Sequence, residues 1–134
     1  NTCNMENIEA LKEVLLIHGD NALILSQRLG EWCGHGPVLE QDIAMTNIAL
    51  DYVGRARFFY QYCGELFTPH KSEDEIAFLR EESEYKNILL CEYANTDFAY
   101  TVVRQFFLDS YYFYFFENLK SSLDKRLADI VAKC

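Results

Sequence analysis

Along the first quarter of the chain, apolar residues return every three or four positions: Leu11, Leu15, Ala22, Leu25, Leu29 and Trp32, with His18 on the same face. That period predicts a helix from Ile8 to Cys33. The run Cys33-Gly34-His35-Gly36-Pro37 stops it, since glycine favours the position just past a helix end and proline opens a helix but cannot continue one. A second helix is predicted from Val38 to Cys63, with Ile43, Ile48, Val53, Ala56 and Tyr60 among its apolar positions, closed by Gly64 and Thr68-Pro69. Two helices of roughly 26 residues joined by a tight turn predict an antiparallel hairpin ~39 Å long.

Lys71 to Asp74 reads as a polar linker, followed by a shorter helix from Glu75 to Glu92, charged at first and apolar at Ile88-Leu89-Leu90. Asn95-Thr96-Asp97 offers side chains that accept from the unpaired amides of a first helical turn. A third long helix is therefore predicted from Asp97 to Lys120. Ser121-Ser122 breaks it, and Leu123 to Lys133 opens another amphipathic pattern through Leu127, Ile130 and Val131. The expected fold is all-α: one antiparallel helix-bundle domain over residues 1–134, its fourth helix only begun. The chain reads as a fragment of something longer.

Composition narrows the classes of function. A chain of 134 residues suits one domain, and 50% hydrophobic residues with 15% aromatics exclude disorder. Two prolines and six glycines are too few for an all-β chain. Twelve basic against 21 acidic residues give a net charge of -9, which disfavours nucleic acid and anionic membranes as partners. No secretory signal opens the sequence and no apolar run reaches the ~20 residues that span a bilayer, so a cytoplasmic location is expected. The five cysteines, Cys3, Cys33, Cys63, Cys91 and Cys134, form no CxxC and read as reduced thiols.

An acidic, aromatic-rich helix bundle raises the question of a di-iron carboxylate site. That site takes a Glu from each of two helices and a Glu-x-x-His pair from each of the other two, the i, i+3 spacing setting both donors on one face. Three residues before His18, His35 and His70 stand Leu15, Trp32 and Phe67, so no such pair exists. Counting from Gly36 as the turn, Asp51 falls level with Asp20 and Asn21, and Gly54 stands where the imidazole would be needed. Asp20, Asp51 and Gly54 are thus degenerate metal positions, although Asp51 also suits an i, i+4 ion pair with Arg55. Asp109, amid aromatics, reads as a buried carboxylate with a structural partner such as Arg104. His18 reads as a hydrogen-bonded core residue and His35 as a turn-shaping or contact residue.

Between Tyr111 and Phe116 six aromatics follow one another, covering every side of the third helix. A helix apolar all round is buried all round. Either a partner subunit or a further part of the same chain would cover it. Candidates for a subunit interface are Trp32, His35, Phe113, Tyr114 and Phe116.

The run Leu23-Ile24-Leu25-Ser26-Gln27-Arg28-Leu29-Gly30-Glu31-Trp32-Cys33-Gly34-His35-Gly36-Pro37-Val38-Leu39-Glu40 resembles the opening of the C subunits of bacterial phenylacetyl-CoA epoxidases, also called phenylacetate-CoA oxygenases. The similarity continues through Asp42-Ile43-Ala44, Asn47 to Asp51, Gly54 to Arg57, Ala77 to Arg80, Asp97 to Ala99 and Arg104 to Phe106. The resemblance implies a ferritin-like fold and a non-catalytic structural subunit of a multicomponent monooxygenase. That complex epoxidises the ring of phenylacetyl-CoA with oxygen and NADPH. It further implies no cofactor in this chain, a di-iron centre in the catalytic subunit it packs against, and other complex subunits as partners. Two other functions stay open. One is a divergent di-iron oxygenase using Asp20, Asp51 and Asp109 with ligands from the rest of a longer chain. The other is a helical interaction module outside phenylacetate metabolism.

Overall fold

The computed structural model describes residues 2–122 and 124–134, with side chains from Glu6 onward. Among the described residues there is no strand, and no helix is long and apolar enough to cross a membrane. The helices are α1 (Thr2–Gly30), α2 (Leu39–Glu65), α3 (Glu73–Phe78), α4 (Leu89–Glu92), α5 (Phe98–Leu119) and α6 (Lys125–Val131), with a single 3-10 turn at Glu82–Glu84. They fall into two compact units, Asn1–Tyr93 and Ala94–Cys134. Leu123, the first residue of the last predicted pattern, and the Cys3 side chain lie outside the described residues. Cys33 and Cys63 are free thiols.

The first unit is built on the α1–α2 hairpin. Leu15, Ala22, Leu25 and Leu29 are buried on α1, and Met45, Ala49, Tyr52, Ala56, Phe59 and Cys63 are buried on α2. The α2 set alternates steps of four and three, the spacing that keeps one seam facing a neighbouring helix. Gly30 ends α1 three residues before the predicted Cys33, and the turn that follows needs Gly34 at φ 80°, where side chains with a Cβ are strained. Asp42 fixes that turn from the first turn of α2: its two carboxylate oxygens accept from the Gly34 N–H at 2.9 and 3.0 Å.

The helix predicted over Glu75–Glu92 does not form as one piece. It starts earlier, inside the expected linker, because Ser72 and Glu75 form a reciprocal capping box: the Ser72 hydroxyl accepts from Glu75 N at 3.2 Å and Glu75 accepts from Ser72 N at 2.7 Å. It ends at Phe78. From there to α4 the chain is irregular apart from the 3-10 turn at Glu82–Glu84, and two of its backbone donors are claimed by side chains of α1. The Lys86 N–H donates to Asp20 at 2.7 Å, and the Ile88 N–H donates to Asn21 at 2.8 Å. Further along, Arg28 donates to the Glu92 carbonyl at 2.6 Å. Long-range polar bonds have displaced the local helical ladder, which period alone cannot foresee.

In the second unit α5 starts where expected, with Asp97 accepting from Tyr100 N at 2.7 Å, and Asp124 caps α6 through Leu127 N at 3.0 Å. Only one stripe of α5 is buried: Thr101, Arg104, Gln105, Leu108, Tyr112 and Phe116. Phe106, Phe107, Tyr111, Phe113 and Tyr114 are all more than half exposed, so nothing among the described residues covers the other sides of α5.

Candidate functional site

The polar centre of the first unit is Asp20. It lies on the side of α1 that carries Leu16, Leu23 and Ile24, turned away from the Leu15, Ala22 and Leu25 seam, and its own exposure is 0%. A buried carboxylate needs donors on its lone pairs, together with a compensating charge. Asp20 has both. Its Oδ1 accepts from the Tyr60 hydroxyl at 2.6 Å and from Nη2 of Arg80. Its Oδ2 accepts from Nη1 of Arg80 at 3.1 Å and from the Lys86 N–H at 2.7 Å. The guanidinium thus grips both oxygens as a fork, the geometry in which arginine pairs best with a carboxylate.

Each partner is itself held. Nε of Arg80 donates to the Ile76 carbonyl at 2.6 Å, closing the end of α3, and Nη1 also donates to the Glu84 carbonyl at 3.2 Å. The Arg80 guanidinium lies 4.3 Å from the Tyr85 ring centroid, and the Tyr85 hydroxyl donates to the Ala77 carbonyl at 2.6 Å. Tyr60 reaches Asp20 by lying against Gly19, where an added Cβ would come within 2.6 Å of its ring. Glycine at that position is a requirement of close approach.

Burial, and then the negative charge of Asp20, drive the Tyr60 hydroxyl far above its ordinary titration range. Burial works against the charge on Arg80, yet the hydrogen bonds and charge of Asp20 outweigh it and hold the guanidinium more firmly protonated. Nearby, burial pushes the Cys63 thiol up to about 11 and lowers His18 to about 4. Carboxylate, guanidinium and neutral phenol together form a charge-balanced knot.

The candidate positions separate accordingly. Asp20 faces inward, whereas Asp51 is exposed on α2, so the two residues that a simple count set level lie on different faces. Gly54 has nothing within 4 Å of the place its Cβ would occupy. Asp109 is exposed, not buried, and accepts from Gln105 Nε2 at 2.8 Å, while Arg104 donates to Asn95 at 2.8 Å. His18 is buried, its ring 6.1 Å from that of Phe59. Of the interface candidates, Phe113 and Tyr114 are 63% and 69% exposed, His35 is exposed and Trp32 half-buried. Phe116 differs: it is 5% exposed and packs on Tyr112 at 5.2 Å, in the buried stripe.

A di-iron centre would need several carboxylates and imidazoles converging with open lone pairs. Among the described residues no three His, Cys, Asp or Glu side chains come together in that way. The best-placed carboxylate, Asp20, has both oxygens occupied by protein donors. The residues present do not fit the metal pair.

Tyr60, Arg80 and Lys86 carry this site, and sequence reasoning gave them no role. The available signal was Asp20 itself, a charge on an apolar helix face that had to find a cation.

Long helical hairpins of this kind are the elements from which helix bundles are built, and the polar centre of this one is a carboxylate gripped by a guanidinium. The chain belongs to the phenylacetic acid catabolic protein family, whose pattern matches residues 1–134, and its fold class is the ferritin-like helical bundle. It is 50% identical over 115 residues to the C subunit of the 1,2-phenylacetyl-CoA epoxidase of Escherichia coli (strain K12), covering 86% of this chain and 46% of that protein. The chain thus spans about half the length of the curated relative it matches.

Proposed function

We propose that this chain is part of a non-catalytic structural subunit of a phenylacetyl-CoA-epoxidising monooxygenase. In this reading it packs in the cytoplasm against a catalytic subunit that carries the di-iron centre, within a larger complex supplied with oxygen and NADPH. The observation that carries it is the state of Asp20: four protein donors, two of them from one forked guanidinium, leave its carboxylate nothing to offer a metal. The name of the E. coli relative supports the choice of complex.

In such a subunit the work is done by binding. A partner that associates only with the folded state stabilises it by mass action, and the reverse holds for the partner. The exposed aromatics of α5, Phe113 and Tyr114 among them, are the residue types enriched in interfaces. Trp32 and His35 at the hairpin turn offer a second surface on the other unit, and Phe116 would support the α5 face from beneath. The alternative of an independent di-iron oxygenase built on Asp20, Asp51 and Asp109 gains no support from their geometry.

Co-expression of the full-length protein with its catalytic homologue tests the proposal. The expected result is a stable complex whose epoxidation of phenylacetyl-CoA is lost when this subunit is left out. A catalytic subunit that is fully active alone and does not retain this protein on a column would defeat it.

A further inference from the structure

The buried seam of α2 runs through Ala49, Tyr52, Ala56 and Phe59, and at ~100° per residue Gly54 stands on the opposite side of the helix. On that outer side Leu50 and Phe58 are exposed apolar residues, and Asp51 and Arg57 are exposed charges. A glycine in mid-helix is destabilising, and its usual return is the close approach of another backbone. Among the described residues nothing makes that approach.

The order of residues about Gly54 identifies what would. When two identical helices cross antiparallel on a two-fold axis, positions equally far before and after the crossing point come opposite each other. Asp51 stands three residues before Gly54 and Arg57 three after; Leu50 stands four before and Phe58 four after. Such a crossing sets carboxylate against guanidinium twice and leucine against phenylalanine twice, ~4.5 and ~6 Å along the axis from the glycine. Seven residues out, Asn47 meets Gln61, so no like charges face each other over this span. Both charged groups have capacity left. Asp51 is in no ion pair among the described residues, and Arg57 donates to Glu73 through Nε alone, at 2.9 and 3.2 Å, leaving its two Nη groups to meet a carboxylate.

We propose that the outer face of α2 joins two copies of this protein in a two-fold dimer that crosses at Gly54 and is held in register by two Asp51–Arg57 pairs. Both charge signs lie here within two turns of helix, and a reversed copy of the same order meets each with its opposite. The contact is isologous, so it closes at two copies. Asp51 and Gly54, singled out by spacing as degenerate metal positions, take a packing role instead. The inference uses a face that the subunit reading leaves unassigned and does not rest on that reading.

Sedimentation of the full-length protein, purified without other subunits, tests it. A dimer is expected at micromolar concentrations. Asp51→Arg alone and Arg57→Asp alone should each weaken it about tenfold or more, since each replaces two opposite-charge contacts by two like-charge ones. Mixed in equal amounts, these two variants should pair with each other, because every charge again meets its opposite. The Asp51→Arg/Arg57→Asp chain should self-associate nearly as the parent does. Gly54→Leu should separate the copies, yet at concentrations where the parent is dissociated too its circular-dichroism melt should be no lower, since its Cβ meets nothing in the single chain. A parent that stays monomeric into the high micromolar range would overturn the proposal. So would a dimer indifferent to Gly54→Leu and to both charge reversals, or folded variants that fail to pair on mixing. A monomeric parent whose melt falls in Gly54→Leu would place another part of the same chain on this face, and that also defeats it.

Discussion

Replacing Arg80 by methionine keeps much of the length of the side chain and removes the charge that balances Asp20. In the native site Asp20 is 0% exposed and the Arg80 side chain 11%, so solvent screens the pair little. The substitution deletes two bonds to Asp20, one to the Ile76 carbonyl and one to the Glu84 carbonyl, leaving Asp20 with Tyr60 and the Lys86 N–H alone. Breaking one side of a buried, forked pair costs ~3–5 kcal/mol, mostly from the charge left behind. Arg80→Lys should cost less, because an ammonium keeps the charge but loses the fork. Asp20→Asn should also destabilise, and the Asp20→Asn/Arg80→Met double variant should be less damaged than the sum, with a coupling of ~2 kcal/mol or more. Urea midpoints followed by circular dichroism on the full-length protein give all four values at constant slope. A loss below ~1 kcal/mol in Arg80→Met, or additive single effects, would refute the claim that the pair organises this unit.

Burial holds His18 neutral with its value lowered to about 4, so the unfolded chain binds more protons than the native one between about 4 and 6.5. Stability should therefore fall as pH drops through that window, by up to ~3 kcal/mol, and His18→Phe should flatten the slope in urea titrations. Gly54→Ala should stabilise the isolated protein by ~1 kcal/mol, since nothing occupies the place of its Cβ in this chain, and a thermal melt reads this directly. Phe113→Ser with Tyr114→Ser should leave the unfolding free energy from urea titration within ~0.5 kcal/mol, both being exposed, while weakening co-purification with the catalytic partner.

The helices that read clearly from sequence are those whose burial is decided by neighbours three and four residues away. The seams of α1 and α2 and the Asp97 start of α5 are of this kind: local period and local caps agree with the tertiary outcome. The stretch between Phe78 and Leu89 was not legible, because its backbone is organised by Asp20 and Asn21, which lie more than sixty positions away in the chain. The start of α3 was missed for a different reason; Ser72 and Glu75 form its capping box inside what composition marks as a linker. At the site, the missing Glu-x-x-His could be read from spacing. The identity of the cation that pairs with Asp20 could not, since Arg80 reaches it only through an irregular loop.

Whether the Asp20 carboxylate is closed to metal can be read from iron content. The full-length chain, purified apart from its catalytic homologue after growth with ample iron, should hold far less than one iron per molecule. Asp20→Asn should leave that figure unchanged. One or two irons per chain, falling in the Asp20→Asn protein, would show that this carboxylate is a ligand after all and that the chain is no mere scaffold.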